Sequence, residues 1–365
     1  MTWENGGVPS WIKGSYVKNG PAQHRFGNEE RWYANYMDSW GKLIKITFKE
    51  DGSVLYSGRM IETANYLKCA EAERLVPTVT AAAVAPNDWT DAEFIEAVIN
   101  NYDNTNVILW RLGPEDVNNA TYIATTDYPL VHFIDPETLA VTGKHKWMNL
   151  HDGISAMSSS HWRREIGSDN SLNFHQKIED FLNPLHPIVF HLYRYGKTIF
   201  EEEEIAKFHV DYASYIHMVS NTPRYAVVIL YPVTMNNMKL PEHNWHPIET
   251  IEQMDGPTRI KLVDLVDGSI IDFETEDESM VFATHIANSW EEGDEEVVFD
   301  LATNPWDAMT MYTDLETMLN HPETDDQVGT QVQSRQMSYP ICSLSLYNTG
   351  HEKSQAGHVY KRGNC

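Results

Sequence analysis

The sequence has few basic residues and few cysteines, and each scarcity excludes some classes of function. Lys and Arg together number 27 against 53 Asp and Glu, which gives the 365-residue chain a formal net charge of −26. Such a chain repels phosphate backbones, so nucleic acid is not expected as a partner. The three cysteines, Cys69, Cys342 and Cys365, are too few and too scattered for a disulfide framework or a Cys-x-x-Cys metal site. We therefore expect a reducing compartment and a cytoplasmic location.

Long hydrophobic runs are also lacking. The longest apolar stretches, Val76–Pro86 and Tyr225–Val233, are much shorter than the ~20 residues of a membrane-spanning helix. The first residues carry no basic segment followed by an apolar run, so neither a signal peptide nor a transit peptide is expected. A polybasic anchor is absent as well. At most, we expect weak peripheral contact with a membrane.

What the sequence does contain is an ordinary globular composition and repeated hairpin signals. Apolar residues make up 42% and charged residues 22%, which is compatible with a substantial core. Leu43–Phe48 and Val54–Tyr56 flank an Asp-Gly turn signal, and Ile260–Val266 and Ser269–Phe273 flank another. Further short β-branched and aromatic runs occur at 106–111, 121–126, 130–134 and 225–231. This pattern predicts an all-β sandwich, barrel or propeller.

Helical signals are few. Asp91–Asn100 reads as a short amphipathic helix with an acidic first turn, opened by Thr90. No linker rich in Gly, Ser or Pro divides the chain. We therefore predict one domain over residues 1–365.

Three histidines stand in distinctive contexts. His161 follows three serines, His217 ends the sequence Ser-Tyr-Ile-His, and His285 begins His-Ile-Ala-Asn-Ser-Trp-Glu-Glu. The gaps of 56 and 68 residues between them exceed any local zinc-finger spacing. A shared metal ion would require strands from distant parts of a closed fold to converge.

A series of short motifs, in order along the chain, resembles the carotenoid cleavage oxygenase family. The motifs are Gly7–Gly14 (GVPSWIKG), Lys18–Pro21 (KNGP), Met37–Leu43 (MDSWGKL), Asp103–Val107 (DNTNV), Ile134–Leu139 (IDPETL), Ser214–His217 (SYIH) and His285–Glu292 (HIANSWEE). The resemblance extends from Gly7 to about Asp300. The Asp-Asn-Thr-Asn-Val segment is most similar to the animal branch, which includes carotene oxygenases and the retinoid isomerohydrolase.

The resemblance implies a seven-bladed β-propeller with one Fe(2+) held by four histidines, under a helical and loop cap that shapes an apolar tunnel. Uncharged imidazoles suit iron and leave positions for dioxygen or substrate. His217 and His285 match the family's ligand contexts. His161 matches too, although Trp162 follows it where the family usually has proline, and His175 and His151 are alternatives for its place.

The resemblance also implies carboxylates that orient the ligands. Ala124–Pro129 (ATTDYP) matches a family stretch that carries one of them, with Asp127 where glutamate is usual. The shorter Asp127 side chain is expected to reach a ligand directly or through water. The alternative interpretation is a turn residue at the end of a strand.

The C-terminal part departs from the family. In Gln336–Ile341 (QMSYPI), Ser338 occupies the position of a family carboxylate. The final blades of the family fold are not recognisable after about residue 340, and neither is a fourth histidine ligand. His351 and His358 both follow glycine but are interpreted as solvated tail residues. Either the sequence is a fragment or variant, or its tail closes the fold in another way.

The predicted function is that of an Fe(2+)-dependent dioxygenase. It would cleave a carbon–carbon double bond of a carotenoid or apocarotenoid, with dioxygen, to retinal-type carbonyl products. His161, His217 and His285 would hold the iron. The alternatives are a catalytically impaired protein that binds carotenoids or retinoids, and a retinyl-ester isomerohydrolase. The second alternative is less favoured because Val76–Asn101, which matches a membrane-contacting region of the family, is acidic here.

Overall fold

β-strands dominate the protein, as the hairpin pattern predicts, so the all-β class is confirmed. The computed structural model describes residues 8–9, 11–28, 30–78, 84–85, 89–100, 102–114, 120–147, 154–178, 188–236, 239, 242, 247–275, 282–293, 296–303, 341–347 and 357–362. Within these ranges the α-helices are α1 (Ala64–Ala72) and α2 (Asp91–Asn100), with short 3-10 helices at Tyr36–Asp38 and Pro247–Thr250. None of the helices in these ranges is long and apolar enough to cross a membrane.

The chain forms two compact units. The first comprises Met1–Arg111, Thr121–Thr126 and Leu130–Lys146, and the second comprises Leu112–Ala120, Asp127–Pro129 and Trp147–Cys365. The single domain over residues 1–365 stays a prediction.

The first unit is built from short antiparallel sheets. Its strands are β1 (Gly14–Gln23), β2 (Trp32–Tyr33), β3 (Trp40–Phe48), β4 (Val54–Met60), β5 (Val84–Ala85), β6 (Ile108–Leu112), β7 (Thr121–Thr125), β8 (Leu130–Ile134) and β9 (Val141–Lys146). They form a three-stranded sheet in the order β1-β3-β4, a pair β2-β5, and a four-stranded sheet in the order β6-β7-β8-β9. The predicted Asp-Gly turn joins β3 to β4, and Gly52 adopts a φ of 80° that favours glycine there.

Two of the family-like motifs contact each other in this unit. The buried side chain of Asn104 accepts a hydrogen bond from Gly41 N at 3.2 Å. Its amide nitrogen donates to the carbonyls of Asp38 at 3.1 Å and Ser39 at 3.0 Å. Asn106 donates to the Ser39 carbonyl as well, at 2.8 Å. The Asp-Asn-Thr-Asn motif therefore has a structural role: it satisfies the backbone groups where β3 begins.

The second unit carries the larger sheets. Its strands are β10 (Ile154–Ser158), β11 (Arg163–Arg164), β12 (Ser171–Ile178), β13 (Ile188–Tyr195), β14 (Glu202–Val210), β15 (Ser220–Asn221), β16 (Tyr225–Leu230), β17 (Val233–Met235), β18 (Ile251–Gln253), β19 (Arg259–Asp264), β20 (Ile270–Glu274), β21 (Ala283–Glu292), β22 (Glu296–Thr303), β23 (Ile341–Tyr347) and β24 (Gly357–Arg362). One sheet runs β10-β12-β13-β14 with β11 beside β12, and another runs β15-β16-β19-β20-β24-β23-β22-β21. The strands β17 and β18 pair separately.

Strand β16 shows why this unit has a layered core. Ala226, Val228 and Leu230 pack in one cluster with the phenylalanines of β12 and β13. Val227 and Ile229 pack in a second cluster with residues of β21 and β22. Since successive side chains of a strand point to opposite faces, β16 is covered on both sides, which explains its continuous apolar run.

Residues 341–347 and 357–362 continue the second unit as two strands. β23 pairs antiparallel with β22, and β24 pairs antiparallel with β23. β24 also meets β20 in a parallel pair, at Phe273↔Gly357 and Glu274↔His358. The interpretation of His358 as part of a solvated tail is therefore wrong for its backbone, which lies in a paired strand. His351 and Ser338 lie outside the described residues.

Candidate metal centre

The three histidines predicted from their motifs lie together in the second unit. His161 lies between β10 and β11, His217 lies between β14 and β15, and His285 is in β21. Each offers one ring nitrogen, and these nitrogens all lie within 4.8 Å of one another. Nε2 of His161 and Nε2 of His285 are 3.3 Å apart. The structure thus brings together segments that are 56 and 68 residues apart in sequence.

The three imidazole rings surround a common point. Their centroids are 4.5 Å, 4.9 Å and 5.0 Å apart, and their planes meet at 71°, 90° and 77°. His217 is buried, His161 is partly buried and His285 is exposed. Rings at steep mutual angles, with their nitrogens converging, are arranged as ligands of one ion would be, and the exposed side leaves room for further ligands.

Asp127 orients His217 directly. It belongs to the short stretch Asp127–Pro129 of the second unit. Its Oδ2 lies 2.7 Å from Nδ1 of His217, and its Oδ1 accepts a hydrogen bond from Ser160 N at 3.0 Å. Tyr215 donates a longer hydrogen bond, 3.4 Å, to Oδ2. The aspartate therefore reaches the histidine without a bridging water, and it leaves Nε2 of His217 free to bind a metal ion.

Ser159 connects the backbone of two histidine segments. Its hydroxyl donates to the carbonyl of His217 at 2.7 Å and accepts from the N–H of His161 at 2.9 Å. The side chain of Asn173 in β12 holds Ser159 in turn, since its oxygen accepts from Ser159 N at 3.2 Å and its nitrogen donates to Ser159 O at 3.1 Å. Both Ser159 and Asn173 are buried, so these bonds are shielded from water.

The electrostatics favour neutral imidazoles at His161 and His285 and an ionised carboxylate at Asp127. Burial, followed by the neighbouring His217 and His285, lowers the pKa of His161 to about 3. Although His285 is partly exposed to solvent, its ring faces the other two, and burial followed by His217 lowers its pKa to about 4. Burial alone would raise the pKa of Asp127, but His217 and the hydrogen bonds from His217 and Ser160 lower it overall. Neutral imidazoles keep the lone pairs that a metal ion needs.

The donor set fits ferrous iron. Imidazole nitrogen is a common ligand for divalent iron, copper, nickel and zinc, and an uncharged set leaves the ion its full positive charge. The carboxylate that accepts from the far nitrogen of His217 is the usual companion of a metal-binding histidine. Within the described residues, the cluster contains no fourth histidine, cysteine or carboxylate ligand.

The alternative ligand His175 lies elsewhere. It is fully buried in β12, with its Nε2 3.1 Å from the hydroxyl of Tyr195, and its ring packs against Trp147 at 4.9 Å. It therefore has a core environment and is not part of the three-histidine cluster. His151 lies outside the described residues, as does the residue at position 351.

The contacts made by Ser159, Asn173 and Tyr215 were not predicted from the sequence. Ser159 and Tyr215 lie within two residues of a candidate histidine, which is a signal of their proximity to the site, but the sequence does not indicate which groups they contact. Asn173 lies in an ordinary strand sequence, and no local signal distinguishes it.

The all-β fold and the carboxylate-supported histidine cluster define a class of protein, namely an all-β protein with a candidate metal centre. A sequence profile of the RPE65 family, described as retinal pigment epithelial membrane protein, matches residues 1–358. The chain therefore belongs to this family of carotenoid oxygenases, as the motif resemblance predicted.

Relatives with curated names agree with this family. The carotenoid isomerooxygenase of Drosophila melanogaster is 24% identical over 356 residues, which cover 92% of this chain and 53% of that protein. The β,β-carotene 15,15′-dioxygenase of Mus musculus is 23% identical over 255 residues, covering 64% of this chain and 42% of that protein. The chain thus spans about half the length of the curated relatives it matches.

Solved structures share the fold. A mutant of Synechocystis apocarotenoid oxygenase matches with a TM-score of 0.69 at 16% identity, covering 98% of this chain and 68% of that chain. The cobalt-substituted form of the same enzyme matches with a TM-score of 0.67 at 16% identity, with the same coverage. At this identity the likeness shows a common fold.

Proposed function

We propose that the chain is the metal-binding part of an Fe(2+)-dependent dioxygenase that cleaves a carbon–carbon double bond of a carotenoid or apocarotenoid. The observation that carries the proposal is the convergence of His161, His217 and His285, with ring nitrogens within 4.8 Å of one another. Membership of the carotenoid oxygenase family supplies the substrate class. Dioxygen is the second substrate, and the products are carbonyl compounds of the retinal type.

Each residue of the site has a distinct part in this proposal. His161, His217 and His285 hold one Fe(2+), Asp127 fixes the tautomer of His217, and Ser159 holds the backbone of His161 and His217 at a constant separation. Ferrous iron supplies, when bound, the capacity to use dioxygen as an oxidant. The open side of the cluster, at the exposed His285, is where the proposal puts the substrates.

A seven-bladed β-propeller is the proposed architecture. A four-stranded antiparallel sheet is the usual blade of that fold, and the antiparallel run β10-β12-β13-β14 supports it. A cytoplasmic location and at most weak peripheral membrane contact belong to the same proposal. The net charge of −26 supports the absence of nucleic acid among its partners.

A second candidate function is binding without turnover. It is favoured by one observation: in the described part of the chain, the cluster offers three ligands, whereas the family resemblance implies four. A weaker site would reduce iron occupancy, since even losing an orienting partner costs roughly 10–100-fold in metal affinity. Such a protein would hold a carotenoid or retinoid and release it unchanged.

The test begins with the chain purified without oxygen and loaded with ferrous salt. Iron is counted by metal analysis, and β-carotene or an apocarotenal is then offered with dioxygen while aldehyde products are followed by chromatography. His217→Ala removes the ligand that Asp127 orients. His209→Ala is the matched control, because His209 is an exposed histidine of β14 outside the cluster.

The results separate the candidates. Stoichiometric iron and aldehyde products in the native chain and in His209→Ala, both lost in His217→Ala, support the dioxygenase. Iron with a bound polyene that is recovered unchanged supports the binding protein instead. A chain that binds no ferrous iron overturns the metal site. A retinyl ester offered in a parallel sample tests the isomerohydrolase, whose product is a retinol.

A further inference from the structure

One guanidinium group reaches the backbone of two histidine segments from a third. Arg163, two residues after His161, donates from Nε to the carbonyl of Val219 at 3.1 Å and from Nη2 to the carbonyl of Ile286 at 2.7 Å. Val219 lies two residues after His217, and Ile286 directly follows His285. A single side chain therefore joins the three chain segments that carry the cluster.

The two hydrogen bonds of Arg163 form a bridge between the histidine segments, and the position of Arg163 makes this bridge rigid. Its backbone is in β11, where it pairs with Leu172 of β12. The acceptors belong to Val219 and Ile286, which are 0% and 2% exposed. A planar guanidinium holds its two N–H donors in a fixed relation, so the bridge constrains both distance and direction.

The bridge carries an electrostatic cost that needs a reason. Arg163 is partly buried and forms no ion pair with a carboxylate among the described residues. A buried cation without a counter-charge is unfavourable, and a cation beside a site for a divalent ion repels that ion. The presence of a cation at this place is explained if the geometry that its hydrogen bonds impose outweighs the cost of its charge.

We propose that Arg163 is a positioning residue of the metal centre, which fixes the His217 and His285 segments relative to the His161 segment. The inference rests on the proposed metal site and extends it to a residue that does not touch the ion. The two hydrogen bonds align three imidazoles that come from separate strands and loops. The other links between these segments include the Ser159 hydroxyl, the contacts of Asp127 with Ser160 N and His217 Nδ1, and the bond from Ile286 N to Sδ of Met218 at 3.1 Å.

The charge and the bridge of Arg163 predict opposite results, and this makes the proposal testable. Arg163→Lys keeps the positive charge, but one ammonium group at the end of a flexible stem does not reproduce the fixed fork of the guanidinium. Arg163→Gln removes the charge as well as the fork. If the bridge matters, both variants bind a divalent ion more weakly. If only the charge matters, the lysine variant binds like the native chain and the glutamine variant binds more tightly.

Arg164→Lys is the matched control. Arg164 is the adjacent residue of the same strand, and its guanidinium donates to the carbonyl of Asp169 within the turn that joins β11 to β12. The substitution is chemically identical, but it disturbs a contact within one hairpin and leaves the links between histidine segments intact.

The measurement is a titration with cobalt(II) chloride under anaerobic conditions, followed by visible absorption of the bound cobalt and by calorimetry. We expect Arg163→Lys and Arg163→Gln to bind cobalt about 10–100-fold more weakly than the native chain, with a changed absorption spectrum, as is usual when the support of a metal ligand is lost. Arg164→Lys is expected to match the native chain in both. Circular dichroism checks that each variant is folded.

Three results overturn the inference. The first is native-like affinity and an unchanged spectrum in Arg163→Lys. The second is tighter binding by Arg163→Gln, which also serves as the deciding variant if the lysine protein does not fold. The third is a native chain that binds no cobalt, a result that rejects the proposed metal site itself and is thereby distinct from the other two.

Discussion

Asp127 supports the ring of His217 directly, through a contact of 2.7 Å between Oδ2 and Nδ1. Because the carboxylate accepts the Nδ1 proton, the unprotonated Nε2 is directed toward the other two histidines. The aspartate is one methylene shorter than the glutamate typical of the family. The contact is nonetheless direct, since Ser160 N fixes the other carboxylate oxygen at 3.0 Å.

Replacing Asp127 is expected to weaken metal binding more than folding. For Asp127→Asn we expect about 10–100-fold weaker cobalt binding, because a neutral amide is a poorer acceptor for the histidine N–H. Asp127→Glu, which keeps the carboxylate, is expected to stay closer to the native affinity. Asp135→Asn is the control, since Asp135 accepts from Thr138 N in a turn of the first unit. Equal cobalt affinity in the native chain and Asp127→Asn contradicts the orienting role.

Ser159→Ala is expected to damage both stability and metal binding. The substitution leaves the carbonyl of His217 and the N–H of His161 without their buried partner. We expect a loss of about 1–3 kcal/mol in the free energy of unfolding, measured with urea, together with weaker cobalt binding. The adjacent Ser158→Ala removes a bond to the carbonyl of Tyr128 and touches neither histidine. An equal loss of cobalt affinity in both serine variants would argue against a specific role for Ser159.

The sequence indicates which histidines come together better than it indicates how their side chains are directed. The motif matches select His161, His217 and His285, which converge in the structure, but the strand that carries His285 is not predicted. Strand β21, however, has register shifts between Ala283 and His285 and again between Ile286 and Asn288. Regular alternation would put Ala283 and His285 on the same face, yet Ala283 is buried and His285 is exposed. Bulges of this kind redirect a side chain, and no local pattern announces them.

Local signals explain which other elements are predictable. The helix Asp91–Asn100 is confirmed, and its opening is a capping box in which Thr90 N donates to Glu93 at 3.0 Å and Glu93 N donates to Thr90 at 3.3 Å. The helix Ala64–Ala72 was missed. Its N-terminus is held by Asp103, which accepts from Thr63 Oγ1 at 2.9 Å and from Asn65 N at 3.0 Å. The carboxylate of Asp103 comes from a segment about 40 residues further along the chain, so the sequence around the helix does not predict this cap.

The Asp-Asn-Thr-Asn motif is expected to matter for stability. Asn104→Ala removes the buried hydrogen bonds to the N–H of Gly41 and to the carbonyl of Asp38, and it leaves the Ser39 carbonyl with the bond from Asn106. We expect the free energy of unfolding to fall by about 3 kcal/mol, as measured by urea denaturation. Asn28→Ala alters an exposed asparagine of the same unit and is expected to cost less than about 0.5 kcal/mol. Comparable losses in the two variants would show that the motif does not hold this turn.

His132 is expected to make the protein less stable in mild acid. It is buried in β8 with its Nδ1 3.1 Å from the hydroxyl of Thr105. Burial, followed by Lys144, lowers its pKa from 6.5 to about 4. Between pH 6.5 and about pH 4, His132 is protonated in the unfolded chain but neutral in the folded chain. The stability that neutral His132 contributes is therefore fully present above pH 6.5 and is lost as the pH falls toward 4.

The test compares urea unfolding at about pH 7 and about pH 5, where linkage gives a contribution from His132 of about 2 kcal/mol. His132→Gln removes the titrating group. Between about pH 7 and about pH 5, the free energy of unfolding of this variant should therefore fall by about 2 kcal/mol less than that of the native chain. His209→Gln makes the same substitution at an exposed histidine and is the matched control. If His132→Gln and the native chain lose stability equally on acidification, then His132 is not a proton-linked group of the fold.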